Sequence, residues 1–115
     1  MTPGHRPVDL AELRRRVESG HYLVKGHAIQ HAVKEGFDRQ HMVEAVLNGQ
    51  VVEDYPDERR ALVCGPISLV ETTRLQLHVV CEYADPAYVE FVTAYIPNET
   101  QWQTPPFRRR KRKRK

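Results

Sequence analysis

The sequence predicts an α+β domain, with two to three N-terminal helices packed on one face of a roughly four-stranded antiparallel sheet. Three observations carry this. Apolar residues recur at spacings of three and four up to about Leu47. Beyond that point they alternate with polar residues, as a half-buried strand requires. Gly, Pro, Asn-Gly and Asp-Pro punctuate the chain at short intervals, so the connections are tight turns. Helices first and strands after, joined by short turns, imply one sheet covered by helices.

Asp9 is an N-cap for a helix from about Leu10 to Ser19, in which Leu10, Leu13 and Val17 form the apolar stripe and Gly20 the stop. Arg14, Arg15 and Arg16 sit in its C-terminal half, where cations suit the helix dipole. His21 to Lys25 reads as a strand or an extended link. A second helix spans His27 to Glu35, with Ala28, Ala32 and Val33 on its buried face and Gly36 ending it. A third runs from Arg39 to Leu47 behind the N-cap Asp38, burying Met42, Val43, Val46 and Leu47, and stops at Asn48-Gly49.

Four strands follow: Val51 to Tyr55, Arg60 to Cys64 ending at Gly65-Pro66, Leu75 to Tyr83, and Tyr88 to Ile96. The third shows the cleanest alternation, with Leu75, Leu77, Val79, Cys81 and Tyr83 on one side and Gln76, His78, Val80 and Glu82 on the other. Residues 1–7 are expected to be a flexible N-terminus, 8–104 the single domain, and 105–115 a disordered polybasic tail.

The chain has 115 residues, enough for one core and too few for two. No apolar stretch approaches the roughly 20 residues of a membrane span, and no apolar run follows the N-terminus as a secretory signal would. A cytoplasmic protein is expected. Two cysteines, Cys64 and Cys81, fall in strand-like runs and read as reduced core thiols, with a bridge between neighbouring strands as the alternative.

The net charge of +3 conceals a division. Arg108, Arg109, Arg110, Lys111, Arg112, Lys113, Arg114 and Lys115 are eight consecutive cations. Without them, ten Lys and Arg face fifteen Asp and Glu, so the body carries about −5 and the tail +8. Such a tail attracts phosphate with steep salt dependence, and Trp102 and Phe107 just upstream could stack on bases. A solubilising tail, an acidic partner protein, an anionic membrane surface, the acidic body itself and, in a eukaryotic host, a nuclear signal are its other readings.

The ordered motifs resemble a widespread small prokaryotic domain-of-unknown-function family. They are His27-Ala28, Gly36-Phe37, Asn48-Gly49, Val51 to Pro56, Arg60 to Gly65, Leu77 to Val80, and Val92 to Pro97 with Trp102 after. That family looks like a relative of the RelE and MqsR ribonuclease toxins, and is sometimes encoded beside a zinc-finger antitoxin. The resemblance, which covers roughly Tyr22 to Trp102, implies a RelE-like fold, a metal-independent endoribonuclease acting on RNA at or off the ribosome, and an antitoxin partner. The chain departs from the family pattern at His31 and Glu35, which stand where arginines are usual.

A metal-independent ribonuclease must deprotonate a 2′-hydroxyl, stabilise a phosphate and protonate a leaving oxygen. Histidine titrates near neutrality and serves as base or acid. Arginine suits the phosphate. His27 and His31, four apart on one helix, Arg60 from the second strand and Tyr95 from the fourth are the catalytic candidates, with His78 as a fifth and Arg59 as a further phosphate contact. Each has a plain structural alternative. His27 can cap or pack a helix, His31 and His78 can lie on solvated faces, Tyr95 can pack on the sheet, and Arg59 and Arg60 can pair with Asp57 and Glu58.

His27-x-x-x-His31 has the spacing of two helix metal ligands, but Ala28 stands where the metalloprotease motif needs glutamate. No metal site and no cofactor are expected. A non-catalytic RNA- or ribosome-binding module, or a protein-interaction domain docking to an acidic partner, are the rival functions.

Overall fold

The computed structural model describes residues 7–70, 73–98 and 100–109. Three helices and five strands follow one another as α1 (Leu10–Glu18), β1 (Tyr22–Val24), α2 (Gly26–Glu35), α3 (Arg39–Asn48), β2 (Gln50–Tyr55), β3 (Arg60–Val70), β4 (Thr73–Glu82) and β5 (Val89–Tyr95). The strands form one sheet in the order β1-β5-β4-β3-β2. All neighbours are antiparallel except β1 and β5, which are parallel. The sheet is therefore five-stranded and mixed, not four-stranded and antiparallel. The added strand is the stretch around Tyr22, too short to alternate visibly, held by the register Tyr22↔Val89 to Val24↔Phe91.

The helix ends follow local chemistry. The Asp9 carboxylate accepts from Glu12 N, and Gly20 and Gly36 take the left-handed conformation (φ 80° and 83°) that ends α1 and α2. At α3 a capping box forms. Asp38 accepts from Gln40 N and His41 N, while His41 Nδ1 accepts from Asp38 N at 2.9 Å. Arg14 reaches beyond its own helix: its Nε donates to Val46 O at 3.1 Å and its guanidinium also bonds Gly49 O, so it satisfies carbonyls at the C-terminus of α3.

The helices cover one face of the sheet. Leu13, Val17, Ala28, Ala32, Phe37, Met42, Ala45 and Val46 meet Val63, Ile67, Leu77, Val79, Cys81, Val89, Phe91 and Ala94 in a single core. Val33, expected on the buried face of α2, is 81% exposed instead. It is adjacent to Ala32, and the helical turn of about 100° per residue swings it outward.

β3 runs on through Gly65-Pro66, where the sequence suggested an end. β2 begins at Gln50, opposite Cys64. Beyond that row β4 is the only strand paired with β3 among the described residues, and a proline is tolerated on such an edge. Gly65 and Gly49 act as more than punctuation. A Cβ on Gly65 would collide with the Ala45 carbonyl, and one on Gly49 with the carbonyls of Ala45 and Cys64. Both glycines let α3 press its backbone onto the sheet. The flexible N-terminus expected at 1–7 and the tail residues 110–115 lie outside the described residues, apart from Pro7.

Candidate functional site

The face opposite the helices gathers most of the polar strand residues. Alternation along the strands sends Gln76, His78, Val80 and Glu82 of β4 to this side, with Arg60, Leu62 and Cys64 of β3 beside them. Register lines the residues up in rows. Tyr95, His78 and Cys64 make one row, Thr93, Val80, Leu62 and Glu53 the next, and Glu82, Arg60 and Tyr55 a third.

This face is not open at its centre. After β5 the chain turns back, with Trp102 N donating to Asn98 O, and crosses the face as a strap. Trp102 and Arg109 form an antiparallel bridge, and Gln103 N donates to Arg108 O at 2.9 Å. Pro105 to Arg109, read from sequence as part of a disordered tail, thus belong to the folded body. The Thr104-Pro105 peptide is cis.

His78 lies under the strap and is fully buried. Its Nε2 sits 2.8 Å from Pro106 O. A carbonyl can only accept, so Nε2 carries the proton. Nδ1 is then the acceptor for the Tyr95 hydroxyl, 3.3 Å away. Both nitrogens are engaged and the ring is held as one neutral tautomer. The indole of Trp102, itself 1% exposed, stands edge-on to the imidazole with centroids 4.4 Å apart. Burial pushes the His78 pKa down, partly opposed by the hydrogen bond to Pro106. Burial likewise pushes Tyr95 up to about 12.

A latch closes the strap. Arg109 Nε and Nη2 donate to Glu53 Oε2 and Oε1 at 2.7 and 3.2 Å, a two-point pairing. The same guanidinium lies 4.6 Å from the centroid of Trp102, within cation–π range. Tyr55 OH also donates to Glu53. Burial alone would raise the Glu53 carboxyl, but Arg109 and Tyr55 outweigh it and hold the pKa down.

The candidates from sequence fall into separate places. His78 and Tyr95 meet directly. Arg60 stands on the same face, two rows away, paired with Glu82 at 3.5 Å. Arg59 is exposed in the β2–β3 turn at φ 56°. His27 and His31 belong to the helical layer, on the other side of the sheet. His27 is exposed in the first turn of α2, and His31 Nδ1 is 3.4 Å from Glu35 Oε2. Glu35 Oε1 in turn accepts from Ile96 N at 2.8 Å, tying α2 to the chain just beyond β5. The pair of helix histidines therefore shares no groove with Arg60 and Tyr95.

Cys64 and Cys81 are both free and buried, on opposite faces of the sheet, so no bridge links them. Burial raises each thiol to about 12, which leaves neither a ready nucleophile. Among the described residues, no three of His, Cys, Asp and Glu converge as a metal's ligands would. Among them, too, no helix is long and apolar enough to cross a membrane.

Sequence reasoning missed Glu53 and the strap. The signal was available in part: Glu53 and Tyr55 share a strand face at a spacing of two, and a lone Trp in a Pro-rich segment follows the last strand. No significant match is found among curated proteins or solved structures. A protein-family model does match residues 24–96, from β1 to the end of β5, leaving Trp102 and the latch arginine outside the match. Since that match spans more than half of the chain, the protein belongs to the family described as a domain of unknown function, DUF4258.

Proposed function

We propose that this protein is a non-catalytic binding module for single-stranded RNA, gripping phosphate through the cations from Arg108 to Lys115. The observation that carries this reading is the anchoring of the cation run. Its second residue, Arg109, is bonded to Glu53 and stacked on Trp102, so the run leaves from a fixed point on the sheet. A tethered cation run loses less freedom on binding than one at the end of a loose linker. The acidic body repels RNA elsewhere and directs contact to this end.

A second reading, a metal-independent endoribonuclease of the RelE or MqsR type, draws on the His78–Tyr95 pair with Glu53 and Arg109 nearby. It needs the strap to lift, because a buried imidazole with both nitrogens engaged can neither take nor give a proton to a substrate. A zinc-finger antitoxin belongs to that reading alone.

Incubating the full chain with mixed-sequence RNA, without added metal, at low and high salt separates the two. Binding that weakens with salt and leaves the RNA intact is expected. Cleavage that persists when Arg110 to Lys115 are replaced by serine and glycine would establish the enzyme instead. His78→Gln and Tyr95→Phe would then be the first variants.

A further inference from the structure

Beside the strap lies a cleft of about 340 Å3 between Trp102, Gln103, Thr104 and Pro106 on one side and, on the other, Pro66 of β3, the start of β4 and the residues just after β5. None of the functional candidates above accounts for it. Its size is near the small end of the ~300–1,000 Å3 typical of ligand clefts, suited to one nucleotide rather than a larger ligand.

The lining has two chemical halves. Pro66, Pro97 and Pro106, with Leu75 and Ile96, offer flat and aliphatic surfaces. Gln76 and Gln103 offer amides, each with a donor and an acceptor side by side, whereas the Asn98 oxygen already accepts from Thr100 Oγ1 and Gln101 N. Paired donors and acceptors on a planar group match the edge of a nucleobase, whose faces then pack on the apolar walls. The Gln76 amide is held in place, since its Oε1 accepts from Cys64 Sγ at 3.4 Å. Arg74 adds a permanent cation for a phosphate. The cleft also adjoins the cation run, because the backbone of Gln103 is hydrogen-bonded to that of Arg108.

We infer that this cleft takes a single unpaired nucleobase of an RNA strand, with the exposed Arg74 and Arg108 beside it for the flanking phosphates. The inference rests on the RNA-binding reading and adds to it base discrimination. Paired bases are stacked inside a helix and cannot enter, so the ligand is single-stranded.

Trp102 is the only tryptophan and lines the cleft, so its emission reports occupancy in the full chain. AMP, GMP, CMP and UMP are titrated separately, with ribose 5-phosphate as the control lacking a base. A saturable change with at least one nucleotide, absent with ribose 5-phosphate, is expected. Gln76→Leu should weaken that nucleotide by about tenfold or more, the scale of one two-point base contact. It should also flatten preferences among short RNA homopolymers without changing their salt dependence. Gln103→Ala, at an exposed position, guards against a folding artefact and should act in the same direction.

An equal response to ribose 5-phosphate overturns the assignment, as do homopolymer preferences unmoved by both variants. Salt-sensitive RNA binding with no nucleotide response removes the cleft and leaves the tail reading intact. A nucleotide response without salt-sensitive polymer binding upholds the cleft and removes the tail reading.

Discussion

At the scale of single residues, the chemistry of this protein turns on which protons are fixed. His78 is neutral because its surroundings exclude water and because Pro106 and Tyr95 occupy its two nitrogens. Its folded pKa lies below the ordinary value of about 6.5. The unfolded chain therefore binds this proton first, so the stabilising effect is complete above about pH 6.5 and is lost as pH falls toward the folded value. Unfolding free energy measured between pH 8 and 5 should decline below about 6.5, with a slope of at most about 1.4 kcal/mol per pH unit from this group. His78→Gln should flatten that limb. The Glu53 carboxyl is also depressed, so its contribution persists above the ordinary carboxylate range and disappears only at lower pH, as the folded pKa is crossed. Arg109→Ala removes the latch. The Arg109 side chain is 55% exposed, so screening keeps the loss to about 1 kcal/mol or less. Faster amide exchange at Gln103 and Phe107 would register the loosened strap.

At the scale of elements, two contacts decide whether the layers close. Gly65→Ala forces a methyl group into the Ala45 carbonyl, which is backbone and cannot swing away. A loss of about 3 kcal/mol is expected in urea unfolding, the upper range for overpacking. Trp102→Ala leaves a void over His78 and should cost about 3 kcal/mol, the low end for a buried aromatic, because the strap can partly collapse. Much of this level was legible in the sequence. Asp9, Asp38, Gly20 and Gly36 mark helix ends through local chemistry, and the alternation of β4 named its two faces correctly. What was not legible depends on residues far apart in the chain. The parallel pairing of Tyr22–Val24 with β5 spans more than half the sequence. The closeness of α3 to the sheet makes Gly49 and Gly65 packing residues, which their turn-like neighbours Asn48 and Pro66 disguise. His78 alternates with apolar residues just as a solvated strand residue would, and only the returning strap buries it. His27 and His31 share a helix face, as their spacing required, but spacing within α2 says nothing about which side of the sheet α2 covers.

At the scale of the whole molecule, charge is segregated. A body of about −5 carries a run of eight cations that is fastened to the sheet by its second member. That layout favours a polyanion at one end and discourages it elsewhere. It also couples the two parts, since a phosphate that takes Arg109 competes with Glu53 for the same guanidinium. The salt dependence of the full chain's affinity for single-stranded RNA counts the phosphates that these cations hold. Each phosphate neutralised contributes a slope of about −0.7 in log K against log salt. Engagement of most of the eight cations predicts a slope of about −4 to −5.5, falling to about −1 when Arg110 to Lys115 are replaced by serine and glycine. A slope near zero, or one unchanged by that replacement, would contradict the assignment of RNA binding to the C-terminal cations.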